Sequence, residues 1–382
     1  MTGVPPEGYA AALAGLGPIT VQRLRSLLLH HPPAEAWAVV LGEHRPAGVM
    51  AEVLQRPERR QAFREAARRV DPARVWSRCE ELGVTVLVHD HAGYPPLLLD
   101  DPLPPPVLFA AGQLALLDGR RVAVVGTRNA TAAGRSLARE LGAGLGAAGV
   151  HVVSGLARGV DGWVHRGVRN AQVATAGAGR PIGVVACGHD VVYPREHADL
   201  WQWVATDGLL LSEVPPGTAP APYRFPLRNR IVAALAEVVV VVESRERGGS
   251  LITATAALDR GVPVMAVPGS PASRAAAGTN ELLRDGAAPV LDVSDVLTAL
   301  QLDHRLASAR PPDPRRPLGR DERPVFEALC SQPRTVEGLA LATGLSLVEV
   351  ALLLARLEVD GWVLQSDGWF EALPSAGGGS PT

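Results

Sequence analysis

Arginine, glycine and small polar residues recur together in a few short segments of this chain. Gly126-Thr127-Arg128-Asn129 comes first. Ser154-Gly155 follows, leading through Arg158-Gly159 to Asp161, and then Gly188-His189-Asp190 with Tyr193-Pro194-Arg195. Beyond Ser212-Glu213 lies a dense run, Arg224-Phe225-Pro226-Leu227-Arg228-Asn229-Arg230. Glu243-Ser244 precedes Gly248-Gly249-Ser250. Glycines at Gly126, Gly155 and Gly249 let backbone N–H groups approach an anion, and a helix starting near Ser250 adds its positive dipole end. The guanidinium is a rigid donor fork suited to phosphate. This is the chemistry of polyanion recognition.

If each segment closes a strand of one sheet, Arg128, Arg158, Arg195, Arg224, Arg228 and Arg230 crowd one edge. Crowded cations repel, and an extended polyanion relieves them with release of counterions. Phe225 offers a π face on which a base can stack, worth ~1–3 kcal/mol per base. The opposing reading pairs Arg228 or Arg230 internally with Glu213 or Glu243.

The elements that would position these residues follow from periodicity. Between residues 121 and 300, apolar runs at 122–125, 150–153, 182–186, 209–211, 238–242 and 262–267, most of them rich in β-branched residues, alternate with helical stretches. That alternation predicts an α/β fold, a doubly wound, mostly parallel sheet covered on both faces, with ligands at the carboxyl ends of its strands. Residues 1–70 read as an N-terminal helical module, either of SAM or helix-hairpin-helix type on the Gly15-Leu16-Gly17-Pro18 turn or a simple helical cap. Residues 74–120 form a transition with a strand at 84–88, so the sheet domain is taken as 74–300. A Pro- and Arg-rich linker is expected at 301–320, a winged helix at 321–373 and a flexible tail at 374–382. Thr335 and Ser346 are its expected helix caps.

Composition narrows the function classes. The 382 residues are 47% hydrophobic and only 4% aromatic, with a net charge of −2, so any electrostatic footprint is local. All 37 basic residues are Arg, which excludes lysine chemistry. Cys79, Cys187 and Cys330 form no C-x-x-C pair, so neither a zinc knuckle nor a disulfide scaffold is indicated, and buried thiols in a reducing cytoplasm are expected. No metal or cofactor is expected. Nor is a signal peptide or membrane span.

Residues 122–296 resemble the DNA-processing protein A (DprA/Smf) family. The matching residues are Gly126-Thr127-Arg128, Ser154-Gly155 to Gly159 and Asp161, Tyr193-Pro194, Ser212-Glu213, Phe225 to Arg230, Gly249-Ser250 to Thr253, Val267-Pro268-Gly269 and Gly278-Thr279-Asn280. The resemblance implies an extended Rossmann-like domain that forms homodimers, binds single-stranded DNA and loads the RecA recombinase onto it during natural transformation. It implies DNA contacts at Gly126, Thr127, Arg128, Arg195, Arg224, Phe225, Arg228 and Asn229. Gly155, Arg158, Arg230, Gly249 and Ser250 complete the expected site. The chain departs from the family at Gly162-Trp163-Val164-His165, and in a longer loop at 176–181.

A binding protein rather than an enzyme is the expectation. His165, four residues after Asp161, has no nucleophile or oxyanion site beside it and reads as a structural ring held by Asp or backbone. The rival class is a nucleotide phosphoribohydrolase, supported only by Glu243 and Gly248-Gly249-Ser250. A dehydrogenase lacks its G-x-G-x-x-G. The third helix of the winged module carries one basic residue, Arg356, so duplex reading through it is not expected.

Overall fold

The computed structural model describes residues 3–302, 315–366 and 368–373. The chain divides into two compact units between Ala307 and Ser308. Most of the linker expected at 301–320, and the tail at 374–382, lie outside the described residues.

The first unit opens with helices α1 (Pro6–Ala14), α2 (Val21–His30), α3 (Pro33–Leu41), α4 (Gly48–Gln55), α5 (Pro57–Arg68) and α6 (Pro72–Glu81). Proline stands in the first turn of α1, α3, α5 and α6, where its missing N–H costs nothing. Next come β1 (Thr85–Val88), the short α7 (Pro96–Leu99), β2 (Val107–Gly112) and β3 (Arg121–Val125). The alternating part follows: α8 (Ala132–Ala147), β4 (His151–Ser154), α9 (Val160–Ala174), β5 (Pro181–Val185), α10 (Ala198–Asp207), β6 (Leu209–Ser212) and α11 (Arg224–Ala234). It continues with β7 (Val238–Val241), α12 (Gly249–Leu258), β8 (Val264–Ala266), α13 (Ala277–Arg284), β9 (Ala288–Pro289) and α14 (Val293–Ala299).

The nine strands form one sheet in the order β1-β2-β6-β5-β4-β3-β7-β8-β9. All pairs from β6 to β9 are parallel, while β2 pairs antiparallel with both β1 and β6. The strand order reverses at β3: β4, β5 and β6 lie to one side and β7 to the other. Side chains alternate between two cores, as pleating requires. Val122 and Val124 face Leu141, Val164 and Val204, whereas Ala123 and Val125 face Ile231, Val232 and Ala254. Helices therefore cover both faces, as the uninterrupted apolar runs predicted.

Sequence reasoning passed over β2 and α10. Phe109 on β2 joins Val86, Val88 and Val107 in the core of the N-terminal helices. These helices thus pack on the antiparallel end of the same sheet.

The second unit holds α15 (Arg323–Ser331), α16 (Val336–Thr343), α17 (Leu347–Val359), and the hairpin β10 (Val363–Ser366) with β11 (Trp369–Ala372). This is the winged helix the pattern predicted. Thr335 accepts from the Gly338 amide, and Ser346 closes a reciprocal capping box with Glu349. Val325, Leu339, Val350, Leu357 and Trp362 form its own core. Among the described residues no single helix is long and apolar enough to cross a membrane.

Candidate nucleic-acid interface

Because β3, β4, β5 and β7 are parallel, the loops that leave them emerge along one edge. The loop after β3 curls at once. The Thr127 amide donates to Glu243 O at 2.7 Å, and Thr127 Oγ1 accepts from the Asn129 amide at 3.2 Å. The loop after β4 packs directly on it. Gly159 has φ 73°, and a Cβ there would strike Thr127 O and the Arg128 backbone. Only glycine satisfies both the left-handed backbone and the close approach.

Arg128 stands exposed at the tip of this stack, with its guanidinium carbon 4.7 Å from the Phe225 ring centre. Tyr193, from the loop after β5, sets its ring 5.5 Å from Phe225 at a 42° tilt and is 41% exposed. Arg224 lies over Tyr223 at 5.3 Å and donates to Ala219 O at 2.5 Å. Arg195 is exposed on the turn after Pro194. Arg158 is exposed too, but pairs with Glu196 at 2.9 Å. An aromatic–guanidinium platform flanked by cations thus joins loops from three strands to the start of α11.

Arg228 and Arg230 depart from the expected crowd of solvent-facing cations. The 224–230 run is the first part of α11 rather than a loop, and the two side chains leave different sides of that helix, each into a buried set of partners. Arg228 donates to Gly155 O at 3.0 Å and to Val184 O, and is buried. Burial lowers its pKa to about 10, opposed by Asp161, so it keeps its charge at neutral pH. Asp161 is also buried. Burial pushes its carboxyl up, while Arg228 and the Ala157 and Gly155 amides hold it down. Arg230 forms a buried ion pair with Glu213. Gly155 is buried with both backbone groups engaged, its amide donating to Asp161 at 3.1 Å.

The remaining expected residues divide similarly. Asn229 donates to Gly249 O at 3.2 Å, tying α11 to the start of α12. Gly249 itself is exposed, with open space where a Cβ would stand. Ser250 is buried and donates to Ser244 Oγ at 2.9 Å. A Cβ on Gly126 would strike Val160 and Glu243 O, so this glycine serves close packing.

Glu243 accepts from the Thr131 amide at 2.9 Å and from the Thr131 hydroxyl, at the N-terminus of α8. The chain's own carboxylate thus fills the anion position at the point where strand order reverses. Glu243, on which the phosphoribohydrolase alternative rested, is thus hydrogen-bonded to Thr131. His165 is fully buried with neither ring nitrogen hydrogen-bonded, so the expected Asp or backbone partner is lacking. Burial, with His197 nearby, pushes its pKa down to about 3. Cys79 and Cys187 are buried, with burial raising their thiols to about 12 and about 11, but Cys330 is exposed.

Tyr193 and Tyr223 join the candidate platform and Glu196 pairs with Arg158 beside it, and sequence reasoning named none of the three as a candidate site residue. For the two tyrosines the signal was present: aromatics placed in polar, proline-containing loops after strands.

Comparison with known proteins agrees with this architecture. Residues 85–301 match the family described as DNA recombination-mediator protein A, and residues 309–368 match the DprA winged helix domain. The chain is 41% identical over 228 residues to the DNA processing protein DprA of Bacillus subtilis, covering 59% of this chain and 75% of that one. It is 40% identical over 283 residues to the putative DNA processing protein DprA of Mycobacterium tuberculosis, covering 72% and 70%. The X-ray structure of DprA from Streptococcus pneumoniae superposes with a TM-score of 0.63 at 28% identity, covering 78% of this chain and 98% of that one. The loops, sheet order and winged helix therefore stand in a chain that belongs to the DNA recombination-mediator protein A (DprA) family of DNA-processing proteins.

Proposed function

We propose that this protein binds single-stranded DNA along the strand-end edge of its sheet and hands it to the RecA recombinase, acting as a cytoplasmic homodimer in the processing of incoming DNA. One observation carries the DNA reading: the Tyr193–Phe225–Arg128 platform, with Arg195 and Arg224 exposed or half-exposed beside it. A stacking face serves unpaired bases, because a duplex presents only base edges in its grooves. The exposed guanidiniums supply phosphate contacts that tolerate any sequence. Delivery to RecA is the use of the bound strand that fits a recombination-mediator family.

Fluorescence anisotropy with a labelled single-stranded oligonucleotide, across a salt series, tests the proposal. Binding should weaken steeply with salt, and duplex should bind less well. Phe225→Ala removes a stacking surface worth ~1–3 kcal/mol and should weaken binding by roughly fivefold or more. Arg128→Ala should also lower the log–log salt slope by about 0.7, one phosphate contact. Absence of salt-dependent binding by the unaltered chain would sink the DNA reading.

A further inference from the structure

The N-terminal helices carry a side-chain cluster that DNA binding does not use. His31 is the C-cap residue just after α2, and Glu35 lies in the first turn of α3. Gly42 then ends α3 in the left-handed conformation, φ 78°, and the Glu43 and His44 amides both turn back to Ala38 O. That reversal returns His44 to the other two. Among the described residues, His31, Glu35 and His44 form one group whose potential ligand atoms all lie within 4.8 Å of one another. Glu35 Oε2 and His44 Nε2 are 3.8 Å apart, and the two histidine rings meet edge to face at 5.6 Å.

An ordinary ion pair would account for Glu35 with His44, both about half exposed. It does not account for His31, which is 7% exposed and whose Nε2 is buried without a hydrogen-bond partner. A buried polar nitrogen left unsatisfied is costly, and a metal ion satisfies an imidazole as well as a proton donor does.

We propose that His31, Glu35 and His44 bind a borderline transition-metal cation of the Zn²⁺ type. Two imidazoles and one carboxylate suit Zn²⁺, Co²⁺ or Ni²⁺, whereas Mg²⁺ and Ca²⁺ take oxygen ligands. Tetrahedral ligands at ~2.0–2.1 Å from the ion sit about 3.3 Å from each other, so the cluster must contract. The exposed side chains of Glu35 and His44 can rotate inward around the buried anchor, His31. Three protein ligands leave a fourth position to solvent or an added donor. The ion would tie the end of α2 to α3 and to the turn that follows it.

The test uses the full chain, stripped with a chelator and titrated with Zn²⁺ against a chromophoric competitor. One tight equivalent per chain is expected, unaffected by excess Mg²⁺ or Ca²⁺, together with a rise in thermal midpoint. Co²⁺ in its place should show the intense visible bands of four-coordination. Glu35→Gln combined with His44→Ala alters only exposed side chains and should abolish that equivalent and the thermal shift. Arg128→Ala should keep both. Equal zinc uptake by the double variant, or no tight equivalent in the unaltered chain, overturns the site and leaves an ion pair beside a buried ring.

Discussion

Arg128 and Arg228 are alike in sequence and opposite in situation. Arg128 has solvent around it and an aromatic ring beneath it, so its loss should change DNA affinity while leaving stability within about 0.5 kcal/mol. Arg228 is the buried counter-charge of Asp161 and the donor to two carbonyls. Removing it strands a carboxylate in the interior, at a cost of about 3–5 kcal/mol, and weaker DNA binding by that variant would report unfolding. Urea midpoints measured beside anisotropy separate the two. Buried histidines make a second residue-scale prediction. His165 and His189 are held neutral, at pKa values of about 3 and about 4. In the unfolded chain both protonate near 6.5. Their stabilising contribution is therefore whole above that pH and is lost as the pH falls toward about 4 for His189 and about 3 for His165. Each ring costs about 1.4 kcal/mol per pH unit in that window. Urea midpoints between about pH 7 and pH 5 should fall accordingly, and less so in His165→Leu. An unchanged pH dependence in that variant would mean that His165 takes up its proton in the fold.

At the scale of elements, the segment between β1 and β2 is held to the far end of α12 by one buried pair. Arg260 Nε lies 2.6 Å from Asp101 Oδ2 and Nη2 lies 3.0 Å from Oδ1, with both side chains nearly enclosed. A two-point pair of this kind fixes orientation as well as distance. Asp101→Ala leaves the guanidinium uncompensated and should destabilise the first unit by about 3–5 kcal/mol in urea unfolding. A change below about 1 kcal/mol would show that the pair behaves as a surface contact. The same reasoning applies to residues 224–230, the first part of α11, whose helical state the sequence did not reveal. Buried carbonyls and carboxylates, brought from β4, β5 and β6, make inward arginines favourable there.

At the scale of the molecule, each unit has its own apolar core. The platform lies wholly in the first. A chain ending at Ala307 should therefore bind single strands with the salt dependence of the full protein, as anisotropy would show. A large loss would assign DNA contacts to the winged unit. The helix α17 argues against that outcome. Leu347, Val348, Leu352 and Val359 are exposed along it, and Arg356 is its one basic side chain. Such a helix offers little to a DNA groove, which is read by polar and charged side chains.

Periodicity and loop composition by themselves determined the doubly wound sheet, the winged helix with two of its helix caps, and the edge at which the strand-end loops gather. These are local matters: β-branched runs, capping residues and glycines state their structure within a few positions. The chain alone left open which arginines face solvent, because Arg128 and Arg230 are chemically the same residue until a fold supplies Glu213 to one and Phe225 to the other. Nor could spacing join Tyr193 to Phe225, place β2 against the N-terminal helices, or gather His31, Glu35 and His44 around one point. The first two are contacts between distant segments, decided by how strands order and helices pack, and the third depends on the turn geometry at Gly42.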